Sequence, residues 1–166
     1  MKSNVFKDKK YFIKTYGCQM NVHDSEEIKA LLENIGFSET DNMDNADLIL
    51  LNTCAVRENA HDKVVGFLGK CKYLKKNRDN FKIVLAGCMC EQPDFIESVQ
   101  KNHKYVDLVI GTHNIHELPK LLLENNKKQH KIKVFTIIIN KFCIRNKRCK
   151  YFEIICFIQS AVFNNW

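Results

Sequence analysis

The 166-residue sequence has no apolar run approaching the ~20 residues of a membrane-spanning helix, so a helical membrane protein is not expected. Its opening, MKSNVFKDKK, is basic but lacks an apolar h-region and a small-residue cleavage site behind it. No secretory signal is read there, and the cytosol is the expected compartment. The chain has no HxxxH or HExxH arrangement, which leaves His23, His61, His113 and His116 as surface residues rather than metal ligands. The first strand-to-helix turn, GCQMNVHDS, has no phosphate-cradling glycine pattern, which argues against a nucleotide-binding loop.

An evenly basic surface is also missing. The formal charge is +7, but residues 1–130 hold 19 Lys+Arg against 18 Asp+Glu, whereas 131–166 hold seven against one. Nucleic-acid affinity suggested by net charge therefore belongs to the tail. That tail contains no Leu, Gly, Asp or Pro and eight Ile. The abrupt change near His130 points to a segment that the preceding domain was not selected with, as a shifted reading frame or a truncated gene would produce. Three parts are expected: an N-terminal extension (1–10), a domain (11–126) and an atypical basic tail (127–166).

Cysteine is abundant, with eight in the chain. In a cytosolic protein that number argues for metal or redox chemistry rather than a disulfide framework. Three of the eight share a setting. Cys18 follows YFIKTYG, Cys54 follows DLILLNT and Cys88 follows FKIVLAG, so each stands where an apolar run gives way to polar residues.

Apolar, strand-length runs alternate with helix-like segments. After YFIKTYG, a capping box of Asp24 and Glu27 predicts a helix with Ile28, Leu31, Leu32 and Ile35 on one face, ending at Gly36. After DLILLN, a helix is expected from just past Cys54 to about Asn77. FKIVLAG, a helix in EQPDFIESVQK, VDLVIG and a helix from Asn114 to about Asn125 complete the pattern. Such alternation with short connections predicts an α/β fold: an open doubly wound parallel sheet of about four to five strands with helices on both faces.

In that fold Cys18, Cys54 and Cys88 lie just beyond the carboxyl ends of three strands, the edge where open α/β sheets bind ligands. Each is also expected to precede a helix whose free N–H groups and dipole favour a thiolate. Thiolate sulfur selects zinc, Cu(I) or iron–sulfur clusters.

The segments KTYGCQMNVHDSE, LLNTCAVRENAHDKVVGFLG, LAGCMCEQ and YVDLVIGTHNIHELP resemble the amino-terminal domain of the methylthiotransferases, over about residues 9–126. The nearest resemblance is to the branch that acts on tRNA carrying N6-dimethylallyladenosine. It implies an auxiliary 4Fe-4S cluster on Cys18, Cys54 and Cys88, whose open iron binds the sulfur to be methylated and delivered to C2 of the modified adenosine at position 37. It also implies tRNA as partner, with a second cluster that cleaves S-adenosylmethionine in a following barrel. The sequence departs from the family there: the second cluster needs C-x3-C-x2-C, whereas Cys143, Cys149 and Cys156 are spaced C-x5-C-x6-C. A barrel of ~200 residues or more has no room after residue 126. The 166-residue chain is therefore expected to lack the second cluster and the S-adenosylmethionine site, to be inactive alone, and to be a monomer.

Cys90 is a competing ligand that strand alternation would turn away, and Cys71 reads as core. Arg57 and Glu58 read as a solvated pair beside Cys54, and KYLKKNR (72–78) as a solvated helix end. Asn21, Asn52 and Thr53 are candidates for bonding the backbone of the cysteine loops. Two other functional classes stand beside the enzyme: a non-catalytic iron–sulfur or metal-binding module, and a flavodoxin-like nucleotide-binding domain.

Overall fold

The structure is a computed structural model and describes residues 5–56, 60–78, 80–124 and 133–135. Among the described residues, six strands form one sheet: β1 (Lys10–Tyr16), β2 (Ser38–Glu39), β3 (Leu48–Thr53), β4 (Lys82–Ala86), β5 (Leu108–Ile110) and β6 (Lys133–Phe135). Their spatial order is β2-β1-β3-β4-β5-β6, and every pairing is parallel. The α-helices of the described residues lie between them in sequence: α1 (Gln19–Asn34), α2 (Ala60–Lys76), α3 (Pro93–Asn102) and α4 (Leu118–Glu124).

The two faces can be read from the alternation within β3, all six residues of which are buried. Ile49 and Leu51 join a core with Val64, Leu68 and Cys71 of α2 and Phe95, Ile96 and Val99 of α3. Leu48 and Leu50 join the opposite core with Ile28 and Leu32 of α1 and Leu118, Leu121 and Leu122 of α4. Successive side chains of a strand point to opposite faces, so a continuous apolar run is what a sheet covered on both sides requires. The chain runs outward from β1 to β2, then returns to lay β3 on the other side of β1. This reversal makes the carboxyl ends of β1 and β3 the topological switch point.

The expected doubly wound fold is present, with differences in detail. β2 and β6 were not among the four strands read from the sequence. β2 is two exposed residues, too short to carry an apolar pattern. β6 lies in the segment read as a separate tail, yet it pairs in register with β5, and Val134 is buried in the core of α2 and α3. Ahead of β1, Phe6 stacks on Phe37 at 4.6 Å between ring centroids and its N–H donates to the Ile35 carbonyl at 3.1 Å.

Helix α1 starts at Gln19 rather than Asp24, with Cys18 as its N-cap. Its other end is as expected: the N–H groups of Gly36 and Phe37 return to the carbonyls of Glu33 and Leu32, a Schellman closure. α2 begins at Ala60; residues 57–59, including Arg57 and Glu58, lie outside the described residues. So do Cys143, Cys149 and Cys156. Among the described residues, no helix is long and apolar enough to cross a membrane.

Candidate metal-ligand site

The register of the sheet gathers the three cysteines. Tyr16 of β1 pairs with Thr53 of β3, and Asn52 of β3 pairs with Ala86 of β4. Cys18, Cys54 and Cys88 follow these paired positions by one or two residues. Separations of 36 and 34 residues in sequence become a single sheet edge.

Each thiol is held differently. Cys54 is fully buried, and its N–H donates to the Tyr16 carbonyl at 3.0 Å, which fixes the exit of β3 against the exit of β1. Cys88 is half-buried at the start of a 3-10 turn (Cys88–Glu91). Its sulfur accepts the Ala55 N–H at 3.0 Å, and its S–H faces the Thr53 carbonyl at 3.6 Å, so it lies against the backbone on either side of Cys54. Cys18 is exposed at the N-cap of α1. Cys18 and Cys54, with Gly17, Gln19, Val22 and Val56, line a depression of about 540 Å³.

Gly87 makes the approach of β4 to β3 possible. Its φ of 99° and ψ of −178° lie in a region essentially restricted to glycine, and a Cβ there would collide with the Thr53 carbonyl oxygen. Burial pushes the Cys88 thiol above its ordinary pKa, the Ala55 N–H acts in the opposite direction, and the neighbouring Cys54 raises it further. Cys88 is therefore held as a neutral thiol.

The expectation that all three cysteines sit at helix starts holds directly for Cys18 alone. Cys88 begins a short turn and α3 follows only at Pro93; Cys54 is six residues before Ala60. The donor to sulfur is instead a strand-end amide, Ala55. The remaining candidates fall away from the depression. Cys90 is fully buried, its sulfur 3.9 Å from the Thr53 hydroxyl, and Cys71 packs in the core of α2. Burial pushes both thiols up to about 12. His23, His61, His113 and His116 are exposed. In the run 72–78, Lys75 pairs with Asp107 and Arg78 donates to the carbonyls of Ala46 and Asp44, so this helix end is tied down rather than simply solvated.

Among the described residues, no three Cys, His, Asp or Glu side chains converge on a point where they could hold one metal ion.

An open doubly wound parallel sheet with three cysteines just past the carboxyl ends of its strands defines an open α/β domain. The chain belongs to the uncharacterized protein family UPF0004, whose model matches residues 10–111. Its relatives include proteins named tRNA-2-methylthio-N(6)-dimethylallyladenosine synthase. The one from Alkaliphilus oremlandii is 51% identical over 116 residues, 70% of this chain and 25% of the relative. That from Shouchella clausii is 49% identical over 120 residues, covering 72% and 23%, and that from Bacillus subtilis 47% over 116 residues, covering 70% and 23%. The chain spans about a quarter of the length of these relatives.

Proposed function

We propose that Cys18, Cys54 and Cys88 hold a 4Fe-4S cluster, and that this domain is the auxiliary-cluster part of a cytosolic tRNA methylthiotransferase acting on N6-dimethylallyladenosine at position 37. The observation that carries the reading is the sheet register, which brings three thiols from three strand ends to the switch-point edge. The donor set fits: soft sulfur ligands, three rather than four, beside a depression that leaves room for a further ligand. A cluster held by three cysteines supplies one open iron for the sulfur that is to be methylated and transferred.

The protein's own residues prepare that place. The Ala55 N–H supports negative charge on the Cys88 sulfur, a charge-assisted hydrogen bond once the thiol is deprotonated. Burial of Cys54 keeps water from one side of the site. The Cys54 N–H bond to Tyr16 and the close approach at Gly87 fix the strand ends, so the ligands are placed by rigid elements rather than by long loops.

Substitution of an aromatic C–H by sulfur requires removal of that hydrogen, and no residue of the site is a radical source. The radical-generating spacing C-x3-C-x2-C is absent from these 166 residues. On this reading residues 11–126 supply the platform for the cluster, and the S-adenosylmethionine-cleaving function belongs to another part of the enzyme. With a net charge of +1 over residues 1–130, the chain offers a tRNA backbone little to grip. The test supplies cluster-loaded protein with S-adenosylmethionine, a reductant and tRNA bearing N6-dimethylallyladenosine, followed by mass spectrometry of the nucleosides. No 2-methylthio product and no 5'-deoxyadenosine are expected. Catalytic amounts of either would overturn the reading of the chain as one part of the enzyme.

The first five strands lie in the order 2-1-3-4-5 of flavodoxin-type domains, with β6 added beside β5, and that order favours nucleotide binding as the second reading. Flavin titration separates the two, because the cluster reading predicts none bound.

A further inference from the structure

We propose that Asn21 is a positioning residue for the three thiols: its side-chain amide latches the Cys18 loop to the strand end that carries Cys54 and so sets the spacing of the sulfur ligands. This rests on the cluster reading above and assigns to it a residue that touches no iron.

Asn21 is 2% exposed, and both ends of its amide are engaged. Oδ1 accepts the Cys18 N–H at 3.1 Å and faces the Cys18 thiol at 3.4 Å. Nδ2 donates to Asn52 Oδ1 at 3.1 Å and to the Thr53 carbonyl at 3.3 Å. One planar group thus spans from the first cysteine to the residue just before the second. Asn52 returns the contact, its Nδ2 donating to the Asn21 carbonyl at 2.8 Å and to Ser25 Oγ at 2.9 Å. Ser25 in turn meets Thr15 Oγ1 at 2.8 Å.

The Cys18 N–H bond to Asn21 Oδ1 is the returning half of a capping box at the start of α1, with Asn21 as the third residue of the helix. What an ordinary cap lacks is the other end of the amide, whose Nδ2 reaches across to the strand end that carries Cys54. The N-cap position itself is held by Cys18, the residue proposed as a ligand. Gly17 serves the same latch, since an added Cβ would meet Asn21 Cβ at 2.5 Å and collide with its amide.

The chemistry explains why an amide is used. Asp would keep an acceptor for the Cys18 N–H but lose the donor to Asn52 and Thr53 and bring a charge against their oxygens. Ligation removes the S–H proton, and with it the thiol contact to Oδ1. The bond from the Cys18 N–H survives, so the loop stays fixed in the ligated state.

The test is anaerobic reconstitution of the full chain with iron and sulfide, for wild type, Asn21→Ala and Ser25→Ala. Iron loss to a chelator and the electron paramagnetic resonance spectrum of the reduced cluster are recorded, with circular dichroism as a check of fold. Asn21→Ala is expected to lose iron at least ten-fold faster and to show an altered spectrum. Ser25→Ala breaks the same buried network without touching Cys18, so it should lower the melting temperature and leave both cluster readouts unchanged. If Asn21→Ala does not fold, Gly17→Ala, which displaces the amide rather than deleting it, is expected to give the same cluster defects. A wild-type spectrum and loss rate in the folded variant, or the same defects in Ser25→Ala, would overturn the proposal alone. A wild-type chain that takes up no iron would overturn the cluster reading and the proposal with it.

Discussion

The backbone N–H of Ala55 donates to Cys88 Sγ at 3.0 Å, across the gap between the ends of β3 and β4. A thiol held this way is anchored to the neighbouring strand exit, and on the cluster reading proposed above the same donor would stabilise its thiolate. The contact exists because Gly87 lets the β4 exit press against Thr53. The sequence feature behind it is a single glycine.

Replacement of Gly87 by alanine should therefore act on both stability and ligation. Its backbone conformation costs a non-glycine residue about 1–3 kcal/mol, and the Cβ clash with the Thr53 carbonyl adds to this. Urea denaturation of the metal-free chain should show a loss of at least that size. Cys88 should at the same time lose its place beside Ala55, so reconstituted iron content falls in the fraction that still folds.

The edge strand gives a second test. Val134 is 5% exposed and packs in the core beneath α2 and α3. Val134→Asp should cost at least the roughly 1.5–3 kcal/mol gained by burying a valine, with the desolvation of a carboxylate in addition. Deletion of residues 131–166 should likewise destabilise the domain, because it strips the partner from β5. A truncated chain with an unchanged denaturation midpoint would restore the tail as a separable appendage.

Alkaline pH should weaken the metal-free fold. The Cys71 thiol is pushed up to about 12 by burial, from an ordinary value near 9.0. Between those values the unfolded chain releases the proton and the native chain retains it, so stability contributed by the neutral thiol is full below about pH 9 and is lost as pH rises toward 12. The slope from this one group approaches about 1.4 kcal/mol per pH unit. Denaturation midpoints measured from pH 8 to 11 should fall with pH, and Cys71→Ala should flatten the decline.

The central strands were legible because each is a run of apolar residues buried on both faces; Ile49 and Leu51 serve one core while Leu48 and Leu50 serve the other. β2 was not, since Ser38 and Glu39 are exposed and only the backbone of β1 recruits them. β6 was hidden by composition: a basic, isoleucine-rich tail gave no turn signals, yet the open edge of β5 takes up three of its residues. The start of α1 was misplaced because Asp24 and Glu27 form a recognisable capping pair, whereas the operative pair is Cys18 with Asn21. The three cysteines stand out in the sequence as candidates because they share a position after apolar runs. The support of Cys88 by Ala55 and the reach of Asn21 to Asn52 and Thr53 depend on register across strands, which no local spacing encodes. The bond from Cys18 to Asn21, by contrast, is a local helix-start contact three residues apart.

The ligand set is tested most directly by the iron and sulfide content of the anaerobically reconstituted chain, compared with its single Cys→Ala variants. About four irons and four sulfides per wild-type chain are predicted, with strong loss for Cys18→Ala, Cys54→Ala and Cys88→Ala and wild-type content for Cys71→Ala and Cys90→Ala. A wild-type chain that binds no iron, or a Cys18→Ala variant that retains the full complement while Cys90→Ala loses it, would contradict the account.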